Sequence, residues 1–165
     1  MTVTTVKKDP ETRTLTISAQ FDAPVARVWQ VWDDPRQLER WWGPPTHPAT
    51  VLDHDLTPGG SVTYLMTGPE GDKHRGWWRV ISVDAPHRLE FEDGFADDAG
   101  NPHSTLPTTT CRVTLHEQAG GGTRMEIEST FPSLQAMREL TEMGMEEGIT
   151  AAVGQIDQLL APHGR

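Results

Sequence analysis

The sequence has little cysteine, little positive charge and no long apolar run. Its one cysteine, Cys111, allows neither an intramolecular disulfide nor a thiolate zinc cluster. Lys and Arg number 14 against 24 Asp and Glu, and the net charge of -10 disfavours binding to nucleic acid or to an anionic membrane. No segment approaches the roughly 18 apolar residues of a membrane-spanning helix, and the N-terminus lacks the apolar region of a signal peptide. These features predict a soluble cytoplasmic protein that binds neither nucleic acid nor membrane.

The sequence also lacks the short motifs of catalytic, nucleotide-binding and metal sites. It contains no G-x-S-x-G, H-E-x-x-H, C-x-x-C, P-loop or G-x-G-x-x-G pattern. The densest metal-type group, Asp53-His54-Asp55, would alternate across a strand, so one ion could not easily collect all three side chains. Asp93, Asp97 and Asp98 lack the ligand order of a calcium loop and are interpreted as part of a polar loop. We predict no catalytic residue, no metal and no cofactor.

Large aromatic and flexible apolar side chains are the unusual part of the composition. Six tryptophans and six methionines accompany only one tyrosine and four phenylalanines. Such side chains either fill the core of a small domain or line an adaptable cavity for an apolar ligand. Both alternatives are open at the level of composition.

The N-terminal part of the chain predicts a strand followed by two short helices. Thr12 to Phe21 alternates apolar and polar residues, which is typical of a half-buried strand. A helix follows from Pro24 to Trp32, with apolar residues at helical spacing. Asp34 is a suitable N-cap with Pro35 in the first helical position, and it opens a second helix that ends at Trp42.

The middle of the chain predicts six further strands. Short segments rich in β-branched and aromatic residues are separated by turn residues such as Pro58-Gly59-Gly60. These separators are too short for parallel crossovers, so sequence neighbours should pair antiparallel. The six segments are Ala49 to Leu56, Ser61 to Gly68, His74 to Asp84, Arg88 to Asp93, Thr108 to Glu117 and Thr123 to Phe131.

The C-terminal part predicts one long helix. After Ser133 the strand pattern ends, and apolar residues recur at helical spacing from Met145 to Leu160, with or without a break near Gly144. Such a helix can lie across the apolar face of a curved seven-stranded antiparallel sheet. The sequence therefore predicts a single α+β domain over residues 1–165, with its core at about residues 12–161 and a gap between sheet and helix.

Four segments carry a resemblance to a known family. They are the run FDAPVARVWQVWDDPRQLERWWGP, the strand segment GWWRVISVDAPHRLEF, the segment GGTRMEIESTF and the closing GMEEGITAAVGQIDQLLA. Together they resemble the SRPBCC or START-like helix-grip superfamily, and more narrowly the branch of homologues of the activator of the heat-shock-protein-90 ATPase. The resemblance implies a helix-grip fold with a cavity between sheet and long helix, and it brings no catalytic motif.

The predicted function is that of a small-molecule binding protein that holds an apolar or aromatic ligand in this cavity. Two alternatives are open: a cyclase- or hydrolase-type enzyme, for which Tyr64, His74 and Arg79 are the candidate polar groups, and a chaperone-binding domain, as the resemblance implies. A homodimer is a further alternative, because one of Trp77 and Trp78 must face outward and would need cover. The predicted ligand-binding residues are Trp41, Trp42, Tyr64, Met66, Trp78, Phe91, Met145, Ile149 and Ala152.

Overall fold

An eight-stranded antiparallel sheet forms the frame of the molecule. The computed structural model describes residues 3–97, 99, 101 and 107–160. The strands are β1 (Val3–Asp9), β2 (Thr14–Phe21), β3 (Ala49–His54), β4 (Ser61–Thr67), β5 (Lys73–Asp84), β6 (Arg88–Ala96), β7 (Thr109–Glu117) and β8 (Thr123–Thr130). Their order across the sheet is β1-β2-β8-β7-β6-β5-β4-β3, and every neighbouring pair is antiparallel.

Short helices cover one face of this sheet. Two of them, α1 (Val25–Asp33) and α2 (Pro35–Trp41), connect β2 to β3, and three follow β8: α3 (Leu134–Glu142), α4 (Met145–Val153) and α5 (Ile156–Leu160). Within the described part of the chain, none of these helices has the length and apolar character needed to cross a membrane.

The predicted count of seven strands is wrong by one, because β1 pairs with β2 at the edge of the sheet. The strand carries Lys7 and Lys8, and both are exposed. Edge strands are commonly polar and lysine-rich, since this protects their unpaired backbone from other chains. A strand of this kind has little apolar alternation, which is the reason that the sequence pattern did not reveal it. The other seven strands are confirmed, with ends that differ by up to three residues.

The C-terminal segment is divided into three helices: the break near Gly144, one of the two alternatives for the predicted helix, is present, and a second break at Gly154 was not predicted. Gly144 adopts a left-handed conformation with φ 90°, which glycine allows at no steric cost, and it separates α3 from α4. The second break lies at Gly154, after which the Gln155 N–H donates to the Ala152 carbonyl in a tighter turn. All three helices bury apolar residues against the rest of the domain. The helical spacing of apolar residues in the sequence therefore continues across both turns and does not mark the breaks.

The two short N-terminal helices are held together by their shared residue and by one tryptophan. Asp34 ends α1 and caps α2, where its Oδ1 accepts a hydrogen bond from the Arg36 N–H at 2.9 Å. The Trp41 indole N–H donates to the Val31 carbonyl at 2.8 Å. The predicted capping role of Asp34, with Pro35 in the first helical position, is confirmed.

The C-terminal helices are tied to the end of α2 by hydrogen bonds. The Gln155 side-chain amide donates to the backbone carbonyls of Trp41 and Gly43, at 3.3 and 2.7 Å. The Arg27 guanidinium of α1 donates to the Leu159 carbonyl at 2.6 Å. These contacts fix the helical layer as a unit over the sheet.

The inner face of the sheet carries the core, and the two adjacent tryptophans of β5 divide between the faces. Trp78 points inward and is fully buried, whereas Trp77 lies half-buried on the outer face. The Trp77 ring rests on Gly94, where a Cβ would lie 2.6 Å from it, and its N–H donates to the Phe95 carbonyl at 2.9 Å. Contacts with β6 of the same chain therefore supply part of the cover for which the sequence analysis considered a second subunit.

We predict that α5 is a main anchor of the helical layer. Ile156 is fully buried, so Ile156→Ala should lower the free energy of unfolding by about 2 to 5 kcal/mol through lost burial and the cavity left behind. Denaturant unfolding measures this change. Gln158→Ala, at an exposed position of the same helix, is the control and should change stability by less than about 0.5 kcal/mol. Equal effects of the two substitutions would contradict this packing.

Candidate functional site

A cavity of about 260 Å³ lies between the sheet and the C-terminal helices. Its floor consists of inward-facing residues of β4, β6 and β7, one wall is the end of α2, and its roof is α4 with the end of α3. Most of the lining is apolar. The principal apolar lining residues are Trp41, Trp42, Met66, Phe95, Leu140, Met145, Ile149 and Ala152.

Seven of the nine predicted ligand-binding residues line this cavity. They are Trp41, Trp42, Tyr64, Met66, Met145, Ile149 and Ala152. The other two, Trp78 and Phe91, lie deeper and do not line it. They stack on each other with ring centroids 4.0 Å apart, and Trp42 covers them with its ring centroid 4.8 Å from that of Trp78. Side-chain alternation shows which residues of a strand face inward. It does not show whether another side chain, here Trp42, lies between such a residue and the cavity, and this is why Trp78 and Phe91 were included in the prediction.

Tyr64 has a fixed position in the cavity wall because a glycine lies under its ring. It pairs across the strands with Gly76, where a Cβ would lie 2.4 Å from the phenol ring. Trp42 meets the Tyr64 ring edge to face, with centroids 5.9 Å apart. Any larger residue at position 76 would displace the phenol, so this glycine places the hydroxyl group inside the site.

Asp93 is the functional candidate that the sequence interpretation missed. Strand β6 runs on to Ala96, three residues beyond the predicted end, so Asp93 lies in the sheet and not in a polar loop. It follows Leu89 and Phe91 on the inward face and lines the cavity. The Tyr64 hydroxyl donates to Asp93 Oδ1 at 3.1 Å. The period-two continuation of the apolar pattern into Asp93 was the signal that could have identified it.

The environment of this pair raises the pKa of both groups. Burial raises the pKa of the Asp93 carboxyl to about 7, and the hydrogen bond from Tyr64 only partly opposes this effect. Burial also raises the pKa of the Tyr64 phenol well above its usual value, and the nearby Asp93 charge acts in the same direction. At neutral pH the phenol is therefore a hydrogen-bond donor, and the carboxyl is close to its midpoint of ionisation.

Cys111 lies in the core on β7, opposite Phe91 in the sheet register. Its Sγ is 3.5 Å from the Ser129 hydroxyl, and burial, with a further contribution from the Asp93 charge, raises the pKa of its thiol to about 12. A thiol with that pKa is not a nucleophile at neutral pH.

The other two polar candidates of the enzyme alternative do not line the cavity. Arg79 lies on the outer face and donates to Glu92 Oε1 at 2.7 Å. His74 is exposed, and its Nε2 is 2.6 Å from Asp72 Oδ2. Only Tyr64 of the three predicted groups is within the site.

Two of the histidines and one aspartate form a cluster that the sequence did not indicate. His47, Asp72 and His74 bring one ligand-type atom each within 4.8 Å of one another, at the start of β5. The hydrogen bond from His74 lowers the pKa of Asp72. The three residues of the segment Asp53-His54-Asp55 instead have separate partners, since His54 contacts the Trp32 carbonyl at 3.0 Å.

Sequence comparison supports the resemblance noted above. The chain matches the family described as Activator of Hsp90 ATPase homolog 1-like protein over residues 22–161. No curated protein is significantly similar to it in sequence.

Several solved structures share the whole fold. The crystal structure of protein Ms6760 from Mycobacterium smegmatis is 52% identical, with 99% of each chain covered and a TM-score of 0.90. A solution NMR structure of a protein from Arthrobacter aurescens is 50% identical, covers 99% of this chain and 98% of its own, and has a TM-score of 0.92. A protein from Staphylococcus epidermidis is 27% identical, with 98% of each chain covered and a TM-score of 0.82.

A curved antiparallel sheet that holds C-terminal helices over a cavity defines a helix-grip protein of the SRPBCC or START-like class. Within that class, the chain belongs to the family of Activator of Hsp90 ATPase homolog 1-like proteins.

We predict that Asp93 makes stability depend on pH. Its folded-state pKa is raised from 3.8 to about 7, so this contribution to stability is complete below pH 4 and is lost as the pH rises through 7. Asp93→Asn keeps an acceptor for Tyr64 but cannot ionise. The variant should therefore gain stability relative to the wild type by about 2 kcal/mol between pH 5 and pH 8, since each pKa unit corresponds to about 1.4 kcal/mol.

Denaturant unfolding of both proteins at the two pH values measures this difference. Glu92→Gln is the control, because Glu92 lies on the outer face of the same strand and no buried charge is removed. A constant difference between wild type and Asp93→Asn across this range would contradict the environment described for Asp93.

We also predict that chelation leaves the fold intact. The ligand-type side chains of the histidine cluster already have partners in the chain, since His47 Nδ1 lies 2.8 Å from the Thr46 hydroxyl and His74 contacts Asp72. A bound structural ion would raise the melting temperature by mass action, and EDTA would then lower it. We expect equal melting temperatures with and without EDTA. A fall of several degrees that His74→Gln abolishes would show that the cluster holds a structural ion.

Proposed function

We propose that the protein binds a compact apolar or aromatic small molecule in the cavity beneath α4. The observation that carries this proposal is the cavity itself, which opens among aromatic, methionine and aliphatic side chains although the rest of the inner face is densely packed. Small-molecule sites are concave and mostly apolar, with a few polar groups that orient the ligand. The cavity has this composition, and Asp93, Tyr64 and Thr109 are polar residues of its lining.

The volume of the cavity favours small ring systems over long acyl chains. Small-molecule sites commonly have about 300 to 1,000 Å³, and this one, at about 260 Å³, falls just below that range. Met66, Met145 and Ile149 border the space and are only partly buried. Methionine side chains adapt to ligands of different shape, so the site suits one- or two-ring molecules without demanding one outline.

A cyclase- or hydrolase-type reaction in the same cavity is the second candidate, and Asp93 is the observation that favours it. A carboxyl group with a pKa of about 7 is suited to proton transfer at neutral pH. Tyr64 could donate a hydrogen bond to a substrate or hold Asp93 in position. Turnover that is lost in Asp93→Asn, while ligand affinity is kept, would favour this function over binding alone.

The test of binding uses the neutral two-ring fluorophore 6-propionyl-2-(dimethylamino)naphthalene. Its emission should rise when it enters the cavity of the wild-type protein. Ile149→Trp should fill the roof of the cavity and weaken binding at least tenfold, with only a small change in melting temperature because the cavity provides the space.

Ile81→Trp is the matched control, because Ile81 is 47% exposed and lies outside the cavity. It should leave binding unchanged. The proposal fails if the wild type does not bind the fluorophore, or if Ile149→Trp and Ile81→Trp affect binding equally. A large loss of stability in Ile149→Trp alone would show that the space is already filled.

A further inference from the structure

We propose that the carboxyl group of Asp93, held by Tyr64, selects ligands that carry a protonated amine on a compact ring body. This inference rests on the proposed function and adds the chemical class of the ligand. The proposed selection predicts that amines bind more tightly than alcohols of the same shape, and that carboxylic acids bind more weakly than both.

The first observation is that no cationic side chain among the described residues pairs with the carboxyl group in the cavity. The cavity lining among the described residues contains no Lys, Arg or His, and Tyr64 and Asp93 are its ionisable groups. Asp93 is partly buried in the cavity lining, and a charge that has lost part of its water is costly unless it is paired. Other carboxylates of the sheet have such partners, as Glu92 has in Arg79 at 2.7 Å. A ligand ammonium group would supply the missing positive charge.

The second observation is that the carboxyl group keeps free acceptor capacity. A carboxylate can accept about four hydrogen bonds through its two oxygens. Among the described residues, the Tyr64 hydroxyl donates to Oδ1, and the Gly94 backbone amide lies close enough to lower the pKa of the carboxyl group. An ammonium group brings three donors and no acceptor, and it therefore complements the positions that remain.

The third observation is the pair of aromatic rings beside the carboxyl group. Trp42 and Tyr64 both line the cavity and meet edge to face, with centroids 5.9 Å apart. Aromatic faces attract a cation within about 6 Å, most strongly for tryptophan. An amine near Asp93 would thus have a carboxylate and aromatic faces as neighbours, while its ring body would contact Met66 and Ile149.

The titratable groups that face Asp93 are few. Tyr64 approaches from β4 and Cys111 from β7, and both stay neutral at physiological pH because burial raises their pKa values. The lining residues of α2 and α4 carry no titratable group. The pH dependence of amine binding should therefore follow the carboxyl group of Asp93, whose pKa is about 7 in the free protein.

The experiment compares three probes with one ring system: 2-(1-naphthyl)ethylamine, 2-(1-naphthyl)ethanol and 1-naphthylacetate. Dissociation constants are measured by calorimetry at pH 8. We expect the amine to bind at least tenfold more tightly than the alcohol, and the carboxylate to bind most weakly. At pH 5 the amine should bind about a hundredfold more weakly than at pH 8, because only about 1% of Asp93 is then ionised. The alcohol should change far less.

Two variants assign the effect to Asp93. Asp93→Asn should remove the preference for the amine and its pH dependence, while it still binds the alcohol, which also shows that the variant is folded. Glu92→Gln, the next residue on the outer face, should keep the preference. An amine preference that persists in Asp93→Asn, or that Glu92→Gln also removes, would overturn the assignment.

The outcomes separate this inference from the proposed function. If 6-propionyl-2-(dimethylamino)naphthalene and the alcohol bind the wild type but the amine is no tighter, the cavity is a binding site and the amine selection is wrong. If the carboxylate binds as tightly as the amine at pH 8, the selection is also wrong. If none of the probes binds, the proposed function fails together with this inference.

Discussion

The stacking of Trp78 on Phe91 is the contact on which the shape of the cavity depends. The two rings fill the sheet centre, Trp42 lies across them, and the open space begins beyond Trp42. The indole N–H groups of Trp32, Trp42 and Trp78 have no partner among the described residues. An unpaired polar group costs about 1 to 3 kcal/mol, whereas burial of about 200 Å² of aromatic surface contributes about 5 kcal/mol. Packing therefore outweighs the lost hydrogen bonds, and the tryptophans form a rigid base for the site.

Most of the fold could be predicted because its signals are local. Alternation marked seven strands, and Asp34 with Pro35 marked the start of α2. The errors have a common cause. Strand β1 is polar on both faces at the sheet edge, and the break at Gly154 leaves the helical spacing of buried residues intact, so neither feature alters the apolar pattern on which the interpretation depended.

The site was less predictable because it depends on contacts between distant parts of the chain. Seven lining residues could be chosen as inward-facing apolar groups, but the depth of Trp78 depends on Trp42 lying above it. Asp93 was missed because it was interpreted together with Asp97 and Asp98 as part of a polar loop, although the predicted strand already reached it. Its environment arises from Tyr64, 29 residues away in sequence, and the position of that phenol depends on the absence of a side chain at Gly76.

The first turns of α4 differ in burial from the end of that helix and from α5. The roof residues Met145 and Ile149 are only partly buried, whereas Ala152, Val153 and Ile156 at the far end are buried in the core. The left-handed turn at Gly144 separates the start of α4 from α3. Substitutions in the first two turns of α4 can therefore alter the outline of the cavity while the deeply packed residues stay unchanged. In evolutionary terms, the same scaffold can acquire different ligands through a few tolerated changes along one short helix.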